Sequence, residues 1–470
     1  MPARRAVLFN MLACAGLLAT APQKALCAIE LLVPNMTGLY AVSVARVVTP
    51  STSEDVSRAV RDWPGKIAVG GGRYSMGGQI AISGGLHLDM RGMNRLIWLD
   101  AQKRLARVQA GMRWRDLQDI IDPVGLAVHT MQSYANFTVG GSVSVNAHGR
   151  YVGNGPVGNS VKALQLVLAD GSVVEASRSD HVELFRAALG GYGAVAIITE
   201  VELDLSDNAR IERIVKEMPL DDYPSFHETL IKGDKNCVLH NADLMPPAFD
   251  TPVAVSWRKT TKALTEQARL IPRGQTYAME QNVLWALTEL PGGAQLRKSV
   301  VHPLRFSGPA VKWLNHEASR DVAELEPRTR KVSTYALQEY FVPVRHFANF
   351  ARGLSGILRQ RRVEAVNVSV RHSPADNLSL VAWAKEEVFS FVLYYKQRTS
   401  MQAQNEVGKW TRELIDLALK HEGRYYLPYQ LHATKEQFGR AYPEAGQLRE
   451  LKRKADPNGK FSNELWAKYL

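Results

Sequence analysis

The chain runs Val69-Gly70-Gly71-Gly72-Arg73-Tyr74-Ser75-Met76-Gly77-Gly78 straight after a short apolar segment, Ile67-Ala68-Val69. Five of the nine residues from 70 to 78 are glycine, more than a tight strand-to-strand turn requires. Glycine permits unusual dihedrals and lets a ligand approach backbone N–H groups closely. The stretch therefore reads as a cradle for a diphosphate, with Gly70, Gly71, Gly72, Arg73, Tyr74, Ser75 and Gly77 as candidate contacts. It lacks the Gly-Lys-Ser/Thr ending of a P-loop. It is also not a G-x-G-x-x-G opening a helix, because Asp89, near the place of that motif's acid, lies on an apparent strand. Both standard nucleotide motifs are thus disfavoured.

Two further glycine stretches follow. Thr138-Val139-Gly140-Gly141-Ser142-Val143-Ser144-Val145-Asn146-Ala147-His148-Gly149 mixes glycine with small polar residues and ends near a lone histidine. Its candidate contacts are Gly141, Ser144, Val145, His148 and Gly149; the imidazole is either structural or a donor to a ligand oxygen. Leu189-Gly190-Gly191-Tyr192-Gly193 then feeds an apolar run containing the candidate Ile198, and alone would be a helix C-cap.

Between these stretches the pattern alternates irregularly. Ser51-Thr52-Ser53-Glu54 reads as a capping box opening a helix that ends near Trp63-Pro64-Gly65. Residues 161–168 and 173–176, joined by Asp170-Gly171, read as a hairpin, 181–189 as a helix and 194–205 as a strand. Beyond about residue 206, strand-like runs at 366–370, 378–383 and 388–395 alternate with helical stretches at 348–358 and 401–421. The fold class expected is α+β, with an antiparallel sheet and flanking helices in the second half.

A length of 470 residues makes two domains the default, and 46% hydrophobic with 22% charged residues is ordinary for a folded protein. The formal charge of +12 comes without aromatic interleaving of its basic runs, Arg359 to Arg362 and Lys452 to Lys454, so nucleic acid is not an expected partner. Residues 1–28 read as an export signal: Arg4 and Arg5, an apolar stretch from Ala6 to Ala21, and a small-residue cleavage site at Ala19-Thr20-Ala21. The expected location is periplasmic, with an uncleaved N-terminal membrane anchor as the alternative. Of three cysteines, Cys14 and Cys27 fall in or beside that segment, leaving Cys237 without a partner for a disulfide. No metal-ligand spacing is present.

Taken together, the order, spacing and wording of the three glycine stretches resemble the FAD domain of the vanillyl-alcohol oxidase and p-cresol methylhydroxylase family. The likeness is closest to its aldonolactone, alditol and decaprenylphosphoryl-ribose oxidase branch. Val47-Val48-Thr49-Pro50-Ser51 resembles that domain's entry, and Asp456-Pro457 through Phe461-Ser462-Asn463 its C-terminal ending. The resemblance implies an FAD domain over residues 40–206, a substrate or cap domain over 207–430, and a segment, 431–470, returning to the FAD domain. It also implies that the 70–78 and 140–149 loops hold the pyrophosphate. Covalent members carry histidine where this chain has Tyr74, so the resemblance implies non-covalent FAD.

The activity implied is hydride removal from a CH–OH group of a sugar-like alcohol or lactone, with O2 or an unidentified carrier as electron acceptor. Glu339, in Gln338-Glu339-Tyr340, resembles a substrate-facing strand carboxylate of alditol-oxidising relatives, though it could equally be an edge-strand acid in water. Arg371, in Asn367-Val368-Ser369-Val370-Arg371-His372 at the end of another strand, is a further catalytic candidate, though it could equally pair with a surface acid. Tyr429 and His432, in Tyr425-Tyr426-Leu427-Pro428-Tyr429-Gln430-Leu431-His432, stand where relatives carry a lysine; Tyr429 is the candidate to polarise the hydroxyl and His432 to accept its proton. The alternatives are a flavin-dependent reductase and a flavoprotein without catalysis of its own, acting as an electron carrier or partner-binding subunit.

Overall fold

The computed structural model describes residues 31–297 and 306–470; the expected export signal lies outside the described residues. The helix Ser53–Asp62 starts one residue later than the capping box read from sequence. Thr52 is the N-cap, its Oγ1 accepting the Asp55 N–H at 3.1 Å while Asp55 Oδ2 accepts the Thr52 N–H at 3.0 Å. Val56 and Val60 turn inward from this helix onto Leu86 and Leu88 of a small parallel sheet, ordered Arg46–Val48, Leu86–Asp89, Ile67–Gly70. The C-terminal segment closes against this sheet. The Ile67 N–H donates to Lys460 O at 2.7 Å, the Ser462 N–H to Ile67 O at 3.0 Å, and Phe461 is buried in the same cluster.

Beside it, an antiparallel sheet follows the order Val173–Ser177, Val161–Val167, Ile197–Asp207, Leu105–Gln109, Leu96–Asp100, with Leu126–Val128 also pairing to Ile197–Asp207. The hairpin around Asp170-Gly171 is present as read, with Gly171 at φ +84°, where a side chain is disfavoured.

The second half is built on eight antiparallel strands. Their order is Val311–Trp313, Arg210–Glu217, Pro252–Lys259, Cys237–Leu244, Glu364–Ser373, Val388–Arg398, Ser333–Pro343, Arg424–Tyr425. One face carries Val368, Val370, Phe391 and Leu393, all fully buried with Phe350, Leu354, Leu414 and Ile415 of the helices Phe347–Gln360 and Met401–Lys420. The expected strand at 378–383 is not one: the segment is irregular, anchored by Asp376, whose Oδ1 accepts the Leu378 and Ser379 N–H groups. Local side-chain bonding of this kind competes with a sheet ladder. Among the described residues no helix is long and apolar enough to cross a membrane.

Three histidines share the interior of this half. His227 and His372 have ring centroids 4.3 Å apart, and His240 lies between the Tyr223 hydroxyl (3.0 Å) and Ser256 Oγ (2.9 Å). Burial pulls His227 down to about 2 and His240 to about 3. It also lowers His372, against the opposing pull of Glu387. His227 and His240 are therefore neutral when folded but take up protons in the unfolded chain below about 6.5. The unfolded state binds more protons, so stability is complete above pH 6.5 and falls as pH drops below it, by up to about 1.4 kcal/mol per pH unit for each of these two histidines. Urea midpoints should fall steeply between pH 7 and 5, above the range where ordinary carboxylates titrate; equal midpoints at the two pH values would contradict this.

Candidate active site

A cavity of 740 Å³ runs from the glycine stretches to the second face of the eight-stranded sheet. Side chains alternate across a strand, so that face presents every second residue. Glu339 comes from Ser333–Pro343, Tyr394 from Val388–Arg398, Asn367 and Arg371 from Glu364–Ser373, Asp243 from Cys237–Leu244, and Trp257 from Pro252–Lys259; all line the cavity. Register sets Glu339 opposite Val392, Val392 opposite Ser369, and Ser369 opposite Asp243, a row across four strands. Glu339 is thus an interior-strand residue, 2% exposed, and the edge-strand alternative is ruled out.

At the other end, Gly71, Gly72, Arg73, Tyr74 and Ser75 line the cavity. A Cβ on Gly71 would stand 2.2 Å from Thr138 Oγ1, which itself accepts the Gly72 N–H at 3.3 Å. The first glycine stretch is thereby locked against the second. Arg73 adopts φ +63°, donates to Asp89 Oδ2 at 2.9 Å, and leaves its Nε without a partner. The N–H groups of Arg73, Tyr74 and Ser75 donate to no acceptor among the described residues.

Gly141, Ser144, Val145 and His148 line the same cavity, as does Ile198. The second stretch is a short helix, Val139–Ser144, not an open loop. Its Gly140 lets the helix approach Ala110 so closely that a Cβ would meet the Ala110 Cβ at 2.5 Å.

Three candidate contacts do not line the cavity. A Cβ on Gly70 would strike the His87 ring, on Gly77 the Tyr429 carbonyl, and on Gly149 the Met131 carbonyl; their lack of a side chain serves close packing. His432 also stands apart from the cavity. Its Nδ1 faces Gly408 of the helix Met401–Lys420, its Nε2 lies 3.1 Å from Gln430 Oε1, and burial pulls its pKa down to about 4. It cannot be the proton acceptor for a group held in the cavity. The residue is two positions past the turn that ties this segment to the glycine loop. There the Met76 N–H donates to Pro428 O at 2.7 Å, and the Gln79 side-chain amide donates to Leu427 O at 2.7 Å and Tyr429 O at 2.8 Å.

The imidazole that does face Glu339 is His148. Its Nε2 lies 2.5 Å from Glu339 Oε1, and the Tyr429 hydroxyl donates to Glu339 Oε2 at 3.0 Å. A carboxylate only accepts, so His148 carries its proton on Nε2. Burial pushes the Glu339 carboxyl up, but His148, Arg371 and the Tyr429 hydrogen bond outweigh it and hold it below the ordinary value. Tyr429, buried beside that carboxylate, is pushed well above the usual phenol range and stays protonated. The irregular segment read as a strand from sequence packs Trp383 against the His148 ring, centroids 4.9 Å apart, with the Trp383 Nε1–H donating to Asn146 O at 2.8 Å. Sequence reading also passed over Arg150, Lys312 and Glu317, which line the cavity as a linked ion cluster. The signal for this wall was present as polar residues at every second position, Asn367, Ser369, Arg371 and Asn241, Asp243, on strands otherwise apolar.

The residues fit a flavin dinucleotide. Glycines that admit no Cβ, a set of unengaged amides and a partnerless guanidine nitrogen are what a pyrophosphate requires. A cavity with a charged and aromatic far wall leaves room beyond it for a substrate.

A model of an FAD-binding domain matches residues 44–177, and one described as D-arabinono-1,4-lactone oxidase matches residues 250–469. The chain is 31% identical over 426 residues to the L-gulonolactone oxidase of Mus musculus, covering 86% of this chain and 89% of that protein. It is 26% identical over 465 residues to the decaprenylphosphoryl-beta-D-ribose oxidase of Mycolicibacterium smegmatis, covering 91% and 95%. To the alditol oxidase of a Streptomyces species it is 29% identical over 191 residues, 40% of this chain and 45% of that one. Likeness sustained from the glycine loops through the eight-stranded sheet to the C-terminal return identifies this chain as an FAD-dependent oxidoreductase of the aldonolactone oxidase family.

Proposed function

We propose that this protein oxidises a CH–OH group of a sugar-like alcohol or lactone, with FAD held non-covalently and Glu339 receiving the hydroxyl proton. The observation that carries the reading is the buried His148–Glu339–Tyr429 arrangement in the wall of the cavity that the glycine loops open into. Relatives named as lactone and alditol oxidases support the substrate class.

Bound FAD supplies acceptance of the electron pair of the breaking C–H bond. The chain's own part begins with holding FAD: the amides of Arg73 to Ser75 and the helix Val139–Ser144 would hold its pyrophosphate. As the carbonyl forms, the hydroxyl proton passes to Glu339, whose ionised state at neutral pH leaves it free to accept. His148 and Tyr429 each give Glu339 one hydrogen bond, fixing its plane and leaving other lone pairs toward the cavity. Tyr429 stays protonated and so serves as donor, not base. Arg371, in the same wall, helps to keep Glu339 ionised.

Mixing the FAD-loaded protein anaerobically with polyols, sugars and aldonolactones should bleach the flavin spectrum with at least one of them; bleaching by none overturns the oxidation. Tyr74 supports non-covalent attachment, because its phenol, packed at 4.7 Å between ring centroids against Phe137 and pushed up to about 12 by burial, is a poor nucleophile. Acid precipitation is therefore expected to release yellow FAD into the supernatant; flavin kept in the pellet contradicts it. The reading includes export, supported by Arg4, Arg5 and the apolar stretch behind them, and cell fractionation of the native host tests it.

A further inference from the structure

Arg371 stands in the cavity wall with hydrogen-bond donors to spare. A guanidinium offers five N–H donors. Among the described residues Arg371 forms no ion pair and donates no hydrogen bond, its buried Nε is without a partner, and it lines the cavity. Its neighbours explain why the chain does not neutralise it. Glu339 acts on it only at a distance, being already engaged by His148 and Tyr429. Arg150, also in the wall, acts on it as a like charge.

Positive charge extends along the same wall. Arg150 and Lys312 both bind the single carboxylate of Glu317, at 2.9 and 2.5 Å, with Arg320 at 3.9 Å. Arg320 is drawn further off by Glu324 at 2.6 Å. Lys312 Nζ stands 4.7 Å over the Trp257 ring, and the Trp257 Nε1, on a residue only 3% exposed, has no acceptor among the described residues.

We infer that the substrate carries an acid group, a carboxylate or a phosphate, and that Arg371 receives it, with Arg150, Lys312 and the Trp257 N–H extending the same anion-binding strip. The inference rests on the substrate-oxidation reading only for the identity of the bound compound; the anion subsite stands on its own geometry. A guanidinium takes a planar carboxylate or a phosphate through two parallel hydrogen bonds, which an ammonium cannot reproduce.

Calorimetric titration of the FAD-loaded protein under anaerobic conditions compares three probes of similar size: sorbitol, gluconate and sorbitol 6-phosphate. At least one of the acids should bind about tenfold or more tightly than sorbitol. The better acid tells which group the subsite takes. Arg371→Gln should abolish the preference, and Arg371→Lys should retain part of it because the charge remains and the fork does not. Equal binding of all three probes to the unaltered protein overturns the inference whatever the variants do. A preference that survives Arg371→Gln overturns it as well. Flavin reduction by sorbitol without any acid preference leaves the oxidation reading intact and removes the subsite. Arg371-dependent binding of an acid upholds the subsite even where no polyol, sugar or aldonolactone reduces the flavin, the outcome that removes the oxidation reading.

Discussion

Replacing Glu339 by glutamine is expected to slow reduction of the bound flavin by substrate about 100-fold or more, the usual reach of a lost proton acceptor. The substitution keeps the size of the side chain but alters both its partners. The ionised carboxylate accepts from His148 Nε2 at 2.5 Å and from the Tyr429 hydroxyl at 3.0 Å. An amide can match one of these donors only through its oxygen, leaving its own NH2 against the other. It also has no site for the substrate proton. Stopped-flow reduction under anaerobic conditions measures the effect directly, and a rate within threefold of the unaltered protein would remove Glu339 from the chemistry. The same residue sets the acid limb of the pH profile. Because its carboxyl is held below the ordinary value of 4.5, its ionised form persists above that folded value, and the kcat/KM loss it causes should begin only below about pH 4.5.

The second large effect belongs to the other end of the cavity. Gly71→Ala is expected to weaken FAD binding about tenfold to a hundredfold, the equivalent of the 1–3 kcal/mol typical of overpacking. The new methyl would lie 2.2 Å from Thr138 Oγ1. Thr138 is 1% exposed, and its hydroxyl also holds the Gly72 N–H, so it cannot withdraw without releasing the loop that presents the amides of Arg73 to Ser75. The ratio of flavin to protein absorbance after dialysis reads the outcome. Gly356→Ala, in open space on the helix Phe347–Gln360, is the control and should keep its full complement of flavin. Equal flavin content in the two variants would show that the first glycine stretch does not cradle the cofactor.

How much of the site was legible in sequence depends on the distance over which its contacts form. The glycine stretches are local: dihedral freedom and backbone access are properties of the residues themselves, and the likeness to a flavoprotein family follows from their order. The hairpin at 161–177 and the helices at 347–360 and 401–420 are local too, set by turn residues and hydrophobic periodicity. The misread segment at 378–383 has strand-like composition. Its structure is decided by Asp376 capping its N–H groups and by Trp383 reaching the His148 ring, neither of which a periodicity registers.

That this protein holds FAD and belongs among the sugar-acting flavin oxidoreductases is readable from the sequence alone, because a dinucleotide cradle and its family signature are written in contiguous residues. It also brought Glu339, Arg371 and Tyr429 forward as candidates. Which histidine stands beside them follows from the tertiary fold alone. His432 lies three residues from Tyr429 in the chain, yet it turns to Gly408, while His148, 191 positions from Glu339, meets it at 2.5 Å. That exchange is a consequence of strand register, which aims alternate residues of the eight-stranded sheet at the cavity. It also depends on the docking of the helix Val139–Ser144 that delivers His148 to the same point.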